Sequence, residues 1–187
     1  TGDKGTVAGV EVEFRKDIFE IERNDNLKTK LSFDANGSYL YTNQDLSNDK
    51  VNDENDFGAN FTFTESKLTG ASNFLANANL SFLNEFKEGQ DFSATVSYSY
   101  FSDKLAVIGT SKVGNVADKA VNKLDFIVNS SLTKNIKLGL IYNNILNPTF
   151  ERVQEQGEVP GKSDVGNILV TSYKLGSDIR LTLNYTF

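Results

Sequence analysis

The sequence predicts an all-β protein whose strands run up and down in antiparallel order. Seven segments alternate apolar and polar residues, the period of a strand with one apolar and one polar face. The connections between these segments also alternate, between short turns and long polar loops. Such a pattern is typical of a meander in which consecutive strands are neighbours and the two ends of the strands meet different surroundings. No segment shows helical periodicity.

The seven predicted strands differ in how strictly they alternate. Residues 31–39, 92–100 and 179–187 alternate without exception; in the last of these every odd position is apolar. The first strand covers residues 5–21, with its clearest alternation at 10–15. The other three strands are 74–82, 124–132 and 136–142, whose out-of-pattern residues are Leu75, Ile127, Ser130 and Ile141.

The connections form two sets. Short turns are predicted at 23–26, 87–90 and 133–135, and long polar loops at 44–67, 103–121 and 147–168. Residues 57–64 inside the first long loop also alternate. We interpret them as a hairpin arm, because an eighth through strand there would break the order of short and long connections.

Composition excludes several classes of function. With 19 basic and 25 acidic residues, the net charge of -6 opposes binding to nucleic acid. The absence of cysteine and histidine excludes disulfides, thiolate metal sites and the commonest general base. The aliphatic run at 105–108 is far shorter than the about 20 residues of a membrane helix, so a helical membrane protein is excluded.

Residue types on the two predicted faces favour a transmembrane β-barrel. The polar positions are mostly Ser, Thr and Asn, which suit a confined, wet lumen better than an open charged surface. Aromatic residues form two belts, as at the two interfaces of a membrane. The belt at the long-loop ends comprises Tyr39, Tyr41, Tyr98, Tyr100, Tyr142 and Tyr173, and the belt at the short-turn ends comprises Phe14, Phe82, Phe92, Tyr185 and Phe187. The alternative is a soluble β-sandwich whose core is ringed by tyrosines.

Several stretches resemble the late barrel of TonB-dependent outer-membrane receptors. They are GVEVEF at 9–14, KLTGASNFLANANLSF at 67–82, LDF at 124–126 with IKLGLIYNNILNP at 136–148, and LGSDIRLTLNYTF at 175–187. The resemblance implies that residues 1–187 are the last seven strands of a barrel of about 22 strands. Its plug domain and TonB-contacting segment lie outside this chain. The spacing at Tyr142–Leu146 departs from the usual family pattern.

The resemblance also implies a function and a location. The chain would form the wall of a receptor that imports a scarce nutrient of the metal-siderophore, vitamin, glycan or peptide class, with its C-terminus in the periplasm. Its partners would be outer-membrane lipid, the plug and remaining strands, the TonB system and the barrel-insertion machinery, and a surface lipoprotein stays open as a further partner. The alternative function is a small passive or structural outer-membrane barrel without a plug.

Charged residues on the polar face are the candidate site. They would hold the plug or line the substrate path; the alternative is cross-strand ion pairing within the wall, which is favoured for Asp178 and Arg180. The eight lumen-facing candidates are Glu11, Glu13, Arg15, Asp34, Asp125, Lys174, Asp178 and Arg180. The terminal pattern of Leu183, Tyr185 and Phe187 resembles the assembly signal of outer-membrane barrels.

Catalysis and cofactors are not expected. The sequence holds no nucleophile elbow, P-loop or dinucleotide-binding glycine pattern, so we predict that the protein is not an enzyme. Carboxylate and amide oxygens at 48–56 are compatible with calcium, but a solvated acidic loop is favoured there.

Overall fold

The computed structural model describes residues 4–23, 27–46, 60–156, 159, 161 and 166–187. In the N-terminal half, the strands are β1 (Gly5–Glu22), β2 (Lys28–Asp45), β3 (Glu65–Ser66), β4 (Phe74–Lys87), β5 (Gln90–Phe101) and β6 (Lys104–Val107). In the C-terminal half, they are β7 (Val116–Asp118), β8 (Val121–Ser131), β9 (Ile136–Asn143), β10 (Thr149–Gln154), β11 (Ile168–Lys174) and β12 (Asp178–Tyr185). Across these described ranges, no helix is both long and apolar enough to cross a membrane.

Seven strands form the main sheet, in the order β1-β2-β4-β5-β8-β9-β12. Every neighbouring pair is antiparallel. These are the seven long strands that the alternation predicts, and their up-and-down order is confirmed. The short strand β3 adds to the end of β2 through the pair Gln44 and Ser66.

The register places the apolar positions of all seven strands on one face, called the apolar face. Side chains directly opposite each other on paired strands share a face, so one row can be followed across the sheet. That row consists of Phe33, Leu80, Val96, Phe126, Tyr142 and Ile179, and on β1 it ends at the charged residue Lys16, opposite Phe33. The apolar face is not covered by another layer of the described chain. Val96 in this row is 39% exposed, and Leu181 in the next row is 78% exposed.

A β-bulge in β1 preserves this segregation. Lys16 lies opposite Phe33 and Phe19 lies opposite Leu31, which leaves Ile18 as the extra residue. One extra residue reverses the alternation. Phe19 therefore lies on the apolar face with Phe33, although an unbroken period would have put it on the opposite, polar face.

The prediction that 103–121 and 147–168 are loops without strands is wrong. Strands β6, β7, β10 and β11 form a second sheet in the order β11-β10-β7-β6, called the arm sheet. In the chain, β6 follows β5, β7 precedes β8, β10 follows β9 and β11 precedes β12. The arm sheet therefore repeats the order of the last four strands of the main sheet. The arm strands span only 3 to 7 residues, too few to produce a clear alternating pattern.

Residues with left-handed backbone conformations separate the two sheets. Asn144 (φ 55°), Asn147 (φ 42°) and Gly176 (φ 81°) interrupt the strands there, as asparagine and glycine do more readily than other residues. The Asn144 side chain donates to Gly176 O at 2.6 Å, and Gly176 N donates to Asn147 Oδ1 at 3.0 Å. These two hydrogen bonds therefore stabilise the region where the strands are interrupted.

Residues 60–73 lie beside the edge of the arm sheet. Gly70 N donates to Leu105 O at 2.7 Å, and Phe61 forms a β-bridge with Thr110. The described part of the predicted hairpin arm, 60–64, is thus outside the main sheet, while 57–59 lie outside the described residues. The buried apolar residues of the described chain also cluster at this end: Leu46, Leu105, Ala117, Val153 and Val159.

The main sheet is open. Strands β1 and β12 each have one neighbour along it, so the described residues do not close a barrel by themselves.

Candidate functional site

Seven of the eight predicted site residues lie on the polar face of the main sheet. Arg15 pairs with Asp34, Asp34 with Asn79, Asn79 with Ser97 and Ser97 with Asp125, which defines one row of this face. Glu11, Glu13, Asp178 and Arg180 occupy the same face by register. Lys174 lies instead in the arm sheet, opposite Thr149.

These charges do not converge on one centre. Arg15 Nη2 lies 3.1 Å from Glu13 Oε1 on its own strand. Asp178 accepts hydrogen bonds from Asn143 Nδ2 at 3.2 and 3.3 Å, and Asp125 accepts one from Asn144 N at 2.6 Å. Most of their contacts are therefore local and hold neighbouring strands together.

Uncharged side chains link the strands on the polar face. Asn77 Nδ2 donates to Asn36 Oδ1 at 2.9 Å, and the Ser81 and Thr95 hydroxyls are 3.0 Å apart. Asn79 Nδ2 donates to Asp34 Oδ2 at 2.7 Å. These cross-strand bonds explain why the polar positions are rich in Asn, Ser and Thr.

A cavity of about 390 Å³ lies where the polar face meets the arm sheet, and we call it the arm cavity. Phe101, Val121 and Lys123 line its base, and all three belong to the polar face by register. The remaining lining comes from Ser72, Ser102 and Lys119 and from residues on the strands of the arm sheet, namely Lys104, Asp118, Phe150, Glu151, Arg152, Thr171 and Tyr173. Its volume is within the range of about 300–1,000 Å³ typical of small-molecule sites.

An ion-paired row crosses the wall of the arm cavity. Lys104 pairs with Asp118 and Asp118 with Arg152 in the sheet register. Arg152 binds Asp118 through two contacts, Nε–Oδ1 at 2.5 Å and Nη2–Oδ2 at 3.0 Å, while Lys104 Nζ is 3.7 Å from Oδ2. The hydrogen bond from Arg152 is the main cause that holds the pKa of Asp118 below its usual 3.8.

Two aromatic rings lie beside this row. Phe150 and Tyr173 are directly opposite each other on β10 and β11, and their rings stack with centroids 5.4 Å apart and planes 11° apart. Tyr173 is therefore part of the cavity rather than of an aromatic belt on the apolar face. The arm cavity offers an ion-paired wall, the cation of Lys123 without an ion-pair partner in the described chain, hydroxyl groups and an aromatic surface.

Sequence reasoning missed this cavity. Its residues come from the ends of β5 and β8, from four short strands and from the segments beside them, and only the strand order brings them together. The four short strands contain too few residues for alternation to identify them, so no local signal in the sequence predicts the face that they share.

The other predicted sites have the following positions. Leu183 and Tyr185 of β12 pair with Leu138 and Ile136, and Phe187 is fully exposed with its ring edge-on to Tyr185 at 5.1 Å. The candidate calcium segment 48–56 lies outside the described residues. Within the described part of the chain, no group of three or more acidic residues is placed to hold a metal ion.

Comparison of the chain with models of protein families, with curated proteins and with solved structures gave no match in any of the three.

Proposed function

We propose that this chain is part of the wall of a TonB-dependent outer-membrane receptor that imports a scarce nutrient. The observation that carries the proposal is the sorting of side chains between the two faces of the main sheet. An exposed apolar face across seven strands matches a surface in contact with lipid, and a hydrogen-bonded Asn/Ser/Thr face matches a wet lumen.

The height of the apolar band supports a membrane-spanning role. In β5 the band extends from Phe92 to Tyr100, which is about 27 Å along the strand at a rise of about 3.4 Å per residue. With the usual tilt of about 40°, this becomes about 21 Å along the membrane normal, close to the about 25 Å of an outer-membrane barrel.

The open edges favour a larger barrel over a seven-stranded one. Unpaired backbone groups of β1 and β12 would each cost several kcal/mol in hydrocarbon. Pairing with further strands on both sides removes this cost, and those strands with a plug would complete the receptor. We propose this family because the motifs of the chain, such as LGSDIRLTLNYTF at 175–187, resemble those of TonB-dependent receptors.

The orientation follows from the connections. The short turns lie in the periplasm with the C-terminus, and the arm sheet lies outside the cell, as expected for barrels with short periplasmic turns. In this arrangement the polar face lines the lumen, where Asp34 and Asp125 meet the plug or the substrate. The insertion machinery and the TonB system are the periplasmic partners.

Cysteine labelling on intact cells tests the proposal. This chain has no cysteine, so a single cysteine in a cysteine-free version of the full-length protein gives an unambiguous signal. Lys112→Cys, between β6 and β7, should react with an impermeant thiol reagent on intact cells. Lys134→Cys, in the turn between β8 and β9, should react only after permeabilisation.

The controls separate location from orientation. The cysteine-free parent should give no label, and the protein should fractionate with the outer membrane. Labelling of Lys134→Cys but not Lys112→Cys would reverse the orientation. Recovery of the protein in a soluble fraction would refute the membrane role itself.

A further inference from the structure

We propose that the arm cavity binds an acidic saccharide, a sugar ring that carries a carboxylate. This inference rests on the proposed function, since the cavity would then be part of the route by which the nutrient enters the lumen. It goes further by naming the chemistry of the nutrient and the residues that select it.

The position of the cavity suits a first binding site. Its base is formed by Phe101, Val121 and Lys123 on the polar face, and its walls are formed by the arm sheet. A solute that arrives at the arm end therefore meets this cavity before it reaches the row of Asp34 and Asp125.

The charges of the cavity favour an anion. Four lining side chains are cationic and two are acidic. Arg152 and Lys104 both contact Asp118, and Lys119 contacts Asp103 and Glu155, so these three cations are already paired. Lys123 forms no ion pair within the described part of the chain and is available at the base. Because two cations share the single carboxylate of Asp118 and Lys123 is unpaired among the described residues, a ligand carboxylate would find a cationic partner in the cavity.

The apolar side of the cavity favours a ring. Tyr173 is 51% exposed although one face of its ring is stacked on Phe150, so its remaining surface is open to a ligand. The negative face of an aromatic ring attracts the weakly positive C–H groups of a sugar ring. Ser72, Ser102 and Thr171 add hydroxyl-bearing lining that matches sugar hydroxyls. A simple aromatic acid would use the stacking and the charge but not these groups.

Binding is measured on the full-length protein purified from outer membranes in detergent. The probe is digalacturonate, with its neutral methyl ester and salicylate as comparisons. Calorimetry should show binding of digalacturonate that weakens as salt is added, and at least about tenfold weaker binding of the ester, as expected for loss of a charge-assisted contact. Equal binding of the ester, or preference for salicylate, would overturn the proposal.

Matched variants place the site. Lys123→Ala should weaken digalacturonate binding about tenfold, and Lys123→Arg should restore most of it. Lys137→Ala is the control, because Lys137 is also on the polar face but lies at the turn end, outside the cavity. Equal effects of Lys123→Ala and Lys137→Ala would overturn the assignment. Each variant is first checked for heat-modifiable migration typical of a folded barrel, so a failure of the membrane role is seen separately from a failure to bind.

Discussion

Val96 and Ser97 are consecutive residues of β5, and the register gives them opposite surroundings. Val96 lies between Leu80 and Phe126 on the apolar face, and Ser97 lies between Asn79 and Asp125 on the polar face. A change of one position along the strand therefore exchanges an apolar environment for a hydrogen-bonding one.

Arginine at these two positions should have unequal effects. Val96→Arg places a charge in the middle of the proposed lipid-facing band and should reduce the free energy of unfolding by about 2–4 kcal/mol. Ser97→Arg places the same charge in the lumen and should change it little, and Leu183→Arg, nearer the turn end, should have a smaller effect than Val96→Arg. Urea unfolding of the full-length protein in lipid vesicles measures the difference, and equal losses at Val96 and Ser97 would reverse the assignment of faces.

The effect of a substitution at Asn144 on stability should depend on the left-handed backbone conformation of this residue. Asn144→Ala loses the bond to Gly176 O, worth about 1 kcal/mol, and places alanine at φ 55°, which adds about 1 kcal/mol. Asn144→Gly loses the bond alone, so glycine should be at least as stable as alanine here despite its usual disadvantage of about 0.5–1 kcal/mol. Asn143 is the control, since it ends a regular strand and should prefer alanine. If the alanine and glycine variants ranked in the same order of stability at both positions, the left-handed backbone of Asn144 would not be the cause.

The pair of Asp118 and Arg152 predicts a pH dependence of the arm sheet. Because folding lowers the pKa of Asp118, its contribution to stability is complete above the usual 3.8 and is lost as the pH falls through the lowered value. The stability difference between wild type and Asp118→Asn should therefore be constant above about pH 5 and decrease in stronger acid. Hydrogen exchange of the β7 and β10 amides at several pH values measures it.

Glu88→Gln is the control for this experiment. Glu88 contacts Lys134 at 3.0 Å, but its side chain is 91% exposed at a turn, so its removal should not change exchange in the arms. If Asp118→Asn and Glu88→Gln behave alike, the Asp118 pair does not stabilise the arm sheet.

Removal of Phe187 should act on assembly more than on stability. Its ring is fully exposed and contacts Tyr185 edge-on, so its packing contribution is small. If Leu183, Tyr185 and Phe187 form the assembly signal, the deletion should strongly lower outer-membrane levels of the full-length protein. Phe14→Ala, an exposed aromatic on the apolar face of β1, should leave levels near normal. Near-normal levels of both variants on immunoblots would argue against the signal.

The main sheet could be predicted from the sequence because each strand contains enough alternating residues to define a face. Residues 92–100 and 179–187 are clear examples: the first range lies within β5, and β12 covers the second as far as Tyr185. The arm sheet could not be predicted in this way. The strand β7 has only three residues, which are too few to show alternation. It forms because it pairs with strands distant in sequence, as Asp118 does with Arg152.

The arm cavity was beyond sequence reasoning for a related reason. Lys123 and Tyr173 are 50 positions apart and line the same cavity only because β7, β10 and β11 continue the order of the main strands. The left-handed turn at Gly176 sets the face on which Tyr173 lies relative to the faces of β12. Alternation alone carries no information about such a change of face between two strands.

The bulge at Ile18 makes β1 unusually tolerant of losing a residue. Deleting Ile18 would remove the extra residue and leave Phe19 opposite Leu31, so both flanking segments would keep their faces and partners. A deletion at Val12 would instead shift every residue on one side of it and move Val10 or Phe14 to the polar face. Length variation in this strand during evolution should therefore concentrate at position 18.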